Sequence, residues 1–418
     1  MECRAKKSRL SGVVSCPPSK SYTHRAIFLA SLAGNSIVRN ALYSADTTST
    51  MAACSKLGAA ISEDASTITV GDPISPAGIT RINAGNSGTT MRIAAGIAGL
   101  FPFKSMITGD ESLNKRPMQI LLDALEQMGA RCTSVEGHPP VSVRGAISGG
   151  DVTIPGNVSS QFVSSLLMCA PLAKKGMRIT IKDKMVSRPY LDATISAMKQ
   201  FGGTVSTVKQ YKRYEVSPGS YSGCTFDVPS DASSLALLLS AAVLVGDLKI
   251  TCDLGGFPQG DAVFVKMLES MGVRVEMGKV IRVTSPERLS GGIFDLGDTP
   301  DLLPPLAILA LKTSAPITIT NVGHARVKET DRLAIIASEL AKTGITIQEN
   351  SDGLVLEPAE NHTGAEFDSH NDHRLFMAFC IAGMYVGDCT ISDSESAAVS
   401  YPNFISEMAR LGADIRLA

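Results

Sequence analysis

The chain has 418 residues, with 39 Lys plus Arg against 40 Asp plus Glu. Near-zero net charge excludes a globally basic nucleic-acid binder, so any anion site has to be built from a few focused cations. Hydrophobic residues make up 44% and charged residues 19% of the chain, with no Trp, which is the composition of a soluble globular protein with ample core material. The nine cysteines form no CxxC and no spacing suited to a metal, and several sit in apolar runs such as "LLMCAPLA". Reduced, buried thiols are expected. "MECRAKKSRL" has no apolar signal core and no stretch reaches the length of a clean membrane span, so a cytoplasmic protein is expected, with no membrane or nucleic-acid partner.

In chain order, two kinds of helical segment alternate. A small polar cluster opens an apolar helix at "SKSYTHRAIFLASLA" (19–33), and an amphipathic helix then ends on glycine at "SKLGAAI". The pair recurs as "NSGTTMRIAAGIAG" with "LEQMGARC", "SSQFVSSLLMCAPLA" with "MKQFGGTV", and "SDASSLALLLSAAVL" with "LESMGVRV". It returns as "TPDLLPPLAILA" with "LAKTGITI" and as "NDHRLFMAFCIAGM" with "MARLGADI". The glycines are Gly58, Gly129, Gly202, Gly272, Gly344 and Gly412, at successive spacings of 71, 73, 70, 72 and 68 residues. Strand-like runs such as "MRITIKD" (177–183) and "TVSTVK" (204–209) lie between the helices or follow the glycine. Six copies of a small α/β module, each with two helices and three or four strands, are therefore expected, every second helix closed by a left-handed glycine.

The polar clusters at the first helix of each copy point to chemistry. Backbone N–H groups at a helix N-terminus lack intrahelical partners and favour anions. Several clusters also carry cations that a simple cap does not need. "PPSKSYTHRA" puts Lys20, Ser21 and Arg25 at a helix mouth. "AGNSGTTMR" (84–92) is a Gly-rich turn whose backbone can approach a ligand, with Arg92 one turn inside. Arg116 stands before Pro117, which suits the first position of the next helix. Arg374 opens an otherwise apolar helix in "NDHRLFMAFCIAG". In "RVKETDRL" (326–333) a helix starting near Glu329 places Lys328 and Arg332 four apart on one face, where like charges are disfavoured.

The ordered series "PPSKSYTHRA", "NSGTTMR", "LNKRPMQ", "SSQF", "SRPY", "TPDLLP", "RVKETDRL" and "NDHR" spans the chain and resembles the 5-enolpyruvylshikimate-3-phosphate synthases, of the enolpyruvyl transferase family. The resemblance implies an α/β fold known as a two-domain inside-out α/β barrel, with three repeats per domain. Domain one would be residues 1–18 plus 230–418 and domain two residues 19–229, with the active site in the interdomain cleft. It implies a monomer acting on two small molecules, shikimate 3-phosphate and phosphoenolpyruvate, with no metal and no organic cofactor. Asp301, Glu329 and Lys20 would be catalytic. Asp301 would take the proton of the 5-hydroxyl, and Glu329, with Lys20, would move the proton at the methylene.

By the same motifs, Lys20, Ser21, Arg25, Ser159, Ser160, Gln161, Ser187, Asp301 and Lys328, with Tyr190 nearby, would hold shikimate 3-phosphate. Lys20, Gly88, Arg116, Gln161, Arg332 and Arg374 would hold phosphoenolpyruvate. Asp46, Asp231 and Asp372 read as orienting or capping groups. The chain departs from its relatives at Val399, where some carry Lys, at His324, where Asn is common, and at Ile93, where Pro is common. Gly88 is kept, as in glyphosate-sensitive members. Two alternatives are the sister UDP-N-acetylglucosamine enolpyruvyl transferase, whose reactive Cys is missing from "MITGDESLNKRPMQ", and a non-catalytic anion-binding scaffold, which would need neither Glu329 nor Asp301.

Overall fold

The computed structural model describes residues 1–417. Their helices are α1 (Lys20–Ala33), α2 (Ala45–Lys56), α3 (Gly88–Ala98), α4 (Gln119–Gln127), α5 (Ser160–Cys169) and α6 (Pro189–Gln200), followed by α7 (Ala232–Val245), α8 (Phe264–Ser270), α9 (Leu303–Ala307), α10 (Arg332–Ala341), α11 (His373–Val386) and α12 (Phe404–Arg410). The strands among the described residues form six four-stranded sheets.

One repeat shows how each sheet is made. Strand Gly150–Pro155 leads into α5, and the next strand, Met177–Lys182, returns parallel to it with Gly150 opposite Met177. After α6 a hairpin follows, and its second arm, Arg213–Val216, pairs antiparallel with both Met177–Lys182 and Ser206–Lys209. The parallel step needs a helical crossover, whereas the antiparallel arm closes by a short turn. The other sheets keep the same spatial order, but three borrow a strand from far along the chain. Thr225–Asp227 pairs parallel with Ser36–Arg39. Leu10–Ser15 pairs parallel with Gly246–Thr251. Cys3–Ala5 lies antiparallel between Cys389–Ile391 and Ile415–Leu417, so the N-terminal strand completes the last repeat.

The six glycines that end the second helices all have left-handed φ, between 80° and 106°. Each second helix thus stops where the sequence pattern places its cap. The first helices differ from the second in how they are buried. α7 is apolar all round and buried at every position, and α11 is buried from His373 to Met384. α4 buries only Leu121, Leu122, Ala124 and Leu125, the stripe expected of an outer helix.

Two local expectations change. "TPDLLPPLAILA" does not form one helix: it is a 3₁₀ turn Pro300–Leu302, the short α9 and a second 3₁₀ stretch Ile308–Lys312. Pro300, Pro304 and Pro305 remove backbone donors that a continuous helix requires. Pro117 does not open α4, which starts at Gln119 after Met118, while Arg116, just before the proline, is extended with φ −86° and ψ 139°.

The chain divides into two compact units. The first comprises Met1–Pro17, Ser230–Gly255 and Gln259–Ala418, and the second Pro18–Pro229 with Gly256–Pro258. Each has its own apolar core. Each also contains three of the six sheets.

The caps are not equivalent in their surroundings. A Cβ at Gly58, where φ is +101°, would lie 2.6 Å from the Ser75 carbonyl oxygen, whereas one at Gly129, where φ is +99°, would meet nothing within 4 Å. Gly129→Ala is expected to cost about 1 kcal/mol, the backbone strain alone, and Gly58→Ala about 2–4 kcal/mol because the Ser75 backbone behind it must also shift. Urea denaturation of the two variants measures the difference directly, and equal losses would contradict it.

Candidate active site

In the second unit the first helices of its repeats, α1, α3 and α5, open with serine caps. The hydroxyls of Ser19, Ser87 and Ser159 accept from the backbone N–H of Tyr22, Thr90 and Gln161 at 3.5, 3.2 and 3.3 Å. The candidate side chains stand on or near these first turns. Lys20 Nζ lies 3.1 Å from Asp46 Oδ2, in the first turn of α2. Arg25 is buried, and its guanidinium donates to Thr194 Oγ1 at 2.9 Å, the Ser21 carbonyl at 2.9 Å and the Tyr190 carbonyl at 3.0 Å. All three acceptors are neutral. Burial accordingly pulls the Arg25 proton affinity below its usual value. Ser187 is buried beside this group with φ +52°, and its carbonyl accepts from Tyr190 N at 3.2 Å.

A second cluster surrounds Gly88, the first residue of α3. Arg92 donates to Gln161 Oε1 at 2.6 Å and lies 5.0 Å over the Phe162 ring, and Gln161 Nε2 donates to Thr89 Oγ1 at 3.0 Å. Arg116 donates to Asn86 Oδ1 at 2.7 Å and Ser112 Oγ at 3.3 Å, while its Nε is buried without a partner. A Cβ at Gly88 would stand 3.3 Å from Arg116 Nη1 and 3.4 Å from Arg92 Nη1, so the missing side chain keeps these guanidinium groups against the helix N-terminus. Neither Arg25 nor Arg116 pairs with a carboxylate among the described residues. A buried cation left with neutral partners favours an incoming anion. Ser160 is buried in the first turn of α5.

The first unit is arranged differently: its cations are matched by acids. Arg332 is fully buried and meets three carboxylates. Its Nε donates to Asp372 Oδ2 at 2.7 Å, Nη1 to Asp301 Oδ1 at 2.8 Å and Nη2 to Glu329 Oε2 at 2.9 Å. Arg374 Nη2 lies 3.2 Å from Asp301 Oδ2, and Lys328 Nζ 3.7 Å from Asp301 Oδ1. Burial opposes the charge of Arg332, but Asp372, Glu329 and Asp301 outweigh it and hold its proton more tightly than usual. Burial would raise Asp301, but Arg374, Lys328 and Arg332 hold it well below the ordinary carboxylate range.

The helix after "RVKETD" begins at Arg332, not near Glu329. A 3₁₀ turn covers Gly323–Val327, and Lys328 is non-helical with ψ −139°. Asp331 caps α10 by accepting from Ala334 N at 3.1 Å, which fixes the helix start one residue later. Lys328 and Arg332 therefore do not stack along one helix face; Asp301 lies between them. Arg326 is structural, paired with Asp331 at 2.8 Å and Glu349 at 2.7 Å.

Asp372 does two jobs, capping α11 through Arg374 N at 2.9 Å and holding Arg332. Asp231 caps α7 through Ser234 N at 2.8 Å. His324 is pushed down to about 4, chiefly by burial and then by Lys328, so it is neutral at pH 7. Val399 ends a 3₁₀ stretch and Ile93 is buried inside α3.

Sequence reasoning singled out Arg92 as a cation one turn inside the Gly-rich turn but assigned it to neither substrate. It did not single out Asp261, which carries no such mark.

The acid limb of stability follows from Asp301. A carboxylate whose proton affinity is lowered by folding contributes stability above the unfolded value of about 4, and that contribution is lost as pH falls through and below it. Asp301→Asn is expected to cost about 2–4 kcal/mol at pH 7, and the gap from the parent chain should narrow below about pH 4. Denaturant titrations at neutral and acid pH test this; a constant gap would rule it out.

The profile of the family described as EPSP synthase (3-phosphoshikimate 1-carboxyvinyltransferase) matches residues 4–408. A protein of Nitrosopumilus maritimus named 3-phosphoshikimate 1-carboxyvinyltransferase is 60% identical over 420 residues, covering 100% of each chain. One of the same name from Methanocorpusculum labreanum is 41% identical, again over 100% of each. Among solved structures, EPSP synthase from Acinetobacter baumannii superposes with a TM-score of 0.80 at 26% identity, covering 100% of each chain. The enolpyruvyl transferase NikO from Streptomyces tendae shares the fold, with a TM-score of 0.76 at 16% identity over 99% of this chain and 98% of that one. A full-length profile match and 60% identity to a relative of equal length carry the conclusion that this chain belongs to the EPSP synthase (3-phosphoshikimate 1-carboxyvinyltransferase) family.

Proposed function

We infer that the protein transfers the enolpyruvyl group of phosphoenolpyruvate to the 5-hydroxyl of shikimate 3-phosphate and releases inorganic phosphate, in the shikimate route to aromatic amino acids. Family membership over the full chain supports the reaction. The observation that carries the site assignment is the arrangement around Arg332: two carboxylates, Asp301 and Glu329, share one buried guanidinium among further cations. In a non-catalytic anion scaffold the same acids would serve only to hold Arg332, and the turnover of Glu329→Gln separates the two readings.

Both residue groups serve the one reaction in this reading. The second unit supplies the buried cations that lack counter-anions. Arg25, with Ser21, Ser159, Ser160, Gln161, Ser187 and Tyr190, takes shikimate 3-phosphate, and Lys328 joins them. Arg116, Gln161 and the Gly88 backbone, with Lys20, Arg332 and Arg374, take phosphoenolpyruvate. The acceptor oxygen then bonds to the enol carbon as Asp301 takes the hydroxyl proton and Glu329 delivers one to the methylene, with Lys20 assigned to the same proton. Phosphate leaves the tetrahedral intermediate, and Glu329 recovers a proton from the methyl group to restore the double bond.

Asp301 is a poor base while Arg374, Lys328 and Arg332 hold it. Substrate anions that engage Arg332 and Arg374 neutralise those cations and raise the proton affinity of Asp301, so the base is strengthened by the substrates it serves. The nine cysteines form no disulfide, and no described helix is long and apolar enough to cross a membrane. A reducing, cytoplasmic setting suits the thiols.

Two measurements test the reading. Phosphate release from phosphoenolpyruvate should require shikimate 3-phosphate; release without it, or none with both substrates, rejects the activity. Glu329→Gln should lower kcat by about 10²–10⁴-fold with KM little changed. Near-parental turnover would remove Glu329 from the proton transfer.

A further inference from the structure

A fourth acid stands behind the Arg332 cluster, with no part in the scheme above. Asp261 lies in the 3₁₀ turn Gly260–Val263 and is 4% exposed. The turn is fastened to the start of α7 by Gln259, whose Oε1 accepts from Ala232 N at 2.9 Å and whose Nε2 donates to the Ser230 carbonyl at 2.8 Å. Ser233 Oγ donates to Asp261 Oδ2, while Oδ1 is buried without a hydrogen-bond partner.

An ionised carboxylate would keep neither oxygen dry and unpaired at such burial, because the desolvation cost is several kcal/mol. The groups that act on Asp261 are Asp301 on the Pro300–Leu302 turn, Asp231 and Ser233 at the start of α7, and Arg374 on α11. Lys328, Arg332 and Arg374 are already opposed by Asp301, Glu329 and Asp372. A further negative charge is surplus in this set.

We propose that Asp261 is a positioning residue that regulates the charge of the first unit's cation cluster: it carries a proton when Arg374 and its neighbours hold an anion, and can lose it when they are empty. The proposal rests on the substrate assignment above. Its direction follows from the balance at the carboxyl group. Burial, then Asp301, push Asp261 up to about 7, with Asp231 adding to the rise and Ser233 and Arg374 opposing it. An anion bound to Arg374 cancels one of the two opposing influences and adds negative charge nearby, so Asp261 holds its proton more firmly. By linkage, anion binding takes up a proton, and anion affinity falls as pH rises past about 7.

The test compares KM for phosphoenolpyruvate, at saturating shikimate 3-phosphate, in the parent enzyme and Asp261→Asn between about pH 6 and 9. Ionisation of the ligand itself is common to both and cancels in the ratio. Parent KM should rise roughly three- to tenfold relative to Asp261→Asn across the range, while the kcat ratio stays flat. Proton uptake on binding inorganic phosphate to the shikimate 3-phosphate complex, read from calorimetry in buffers of different ionisation heat, should shrink in the variant. Ser233→Ala removes a donor that favours the ionised form, so its KM inflection should move to higher pH. That arm decides the matter should Asp261→Asn fail to fold. A pH-independent KM ratio, or an unmoved inflection in Ser233→Ala, overturns the proposal. Absence of shikimate 3-phosphate-dependent turnover in the parent enzyme would instead overturn the activity reading.

Discussion

The bonds around Arg332 are the constraint on which the first unit depends. A fully buried guanidinium is tolerable only with its donors satisfied by charge, and three carboxylates do so at 2.7–2.9 Å. Those acids come from three places in the chain: the Pro300–Leu302 turn, the segment before α10, and the N-cap of α11. One arginine therefore fixes the relative position of three segments and holds Asp301 and Glu329 on either side of itself. Removing any one acid leaves the others to carry an under-compensated charge, which is why such networks behave as one element. The capping bonds of Asp331 and Asp372 lock the two helices from which the cluster is built.

The two units solve opposite halves of an electrostatic problem with the same scaffold. The first helices α1, α3, α5, α7 and α11 bring five N-termini, and a chain of near-zero net charge can still offer local anion sites because those dipoles cost it no charged residues. In the second unit Arg25 and Arg116 have only neutral acceptors. In the first unit the cations are saturated by acids. An anion reaching the second unit gains unshared positive charge, while one reaching the first must exchange with carboxylates already present. In the proposed reaction that exchange is chemically useful, because the displaced carboxylates are the groups assigned to the proton transfers.

Much of this was legible in the sequence where the determinant is local. The glycine caps were readable because a left-handed residue after an amphipathic run is written in a few adjacent letters, and all six have the conformation that the pattern requires. The cations at the first-helix starts were readable for the same reason. The register of "RVKETDRL" was not, because Glu329 and Asp331 both suit a helix start and only tertiary contacts choose between them: Arg332 draws Glu329 out to its guanidinium while Asp331 caps. The break in "TPDLLPPLAILA" was visible as three prolines, yet the apolar run outweighed them in the reading. The neutral partners of Arg25 were beyond reach: Thr194 lies 169 residues away and packs there only once α6 has formed.

Asp261 shows the same limit in its sharpest form. In "PQGDAV" it is an unremarkable acid at the start of a turn, with nothing to distinguish it from a capping residue. What sets it apart is the burial imposed by α7, a helix so apolar that every residue is packed away, and the proximity of Asp301 and Arg374, which come from sequence 40 and more residues downstream. A charge cluster is thus read correctly only when its acids are counted together. Three cations and three acids meet around Arg332, and a fourth buried acid beside them is costly to ionise. In the proposal above, a change in the anions held by these cations is answered at Asp261, whose proton affinity is raised to about 7, while Asp301 is held well below the carboxylate range.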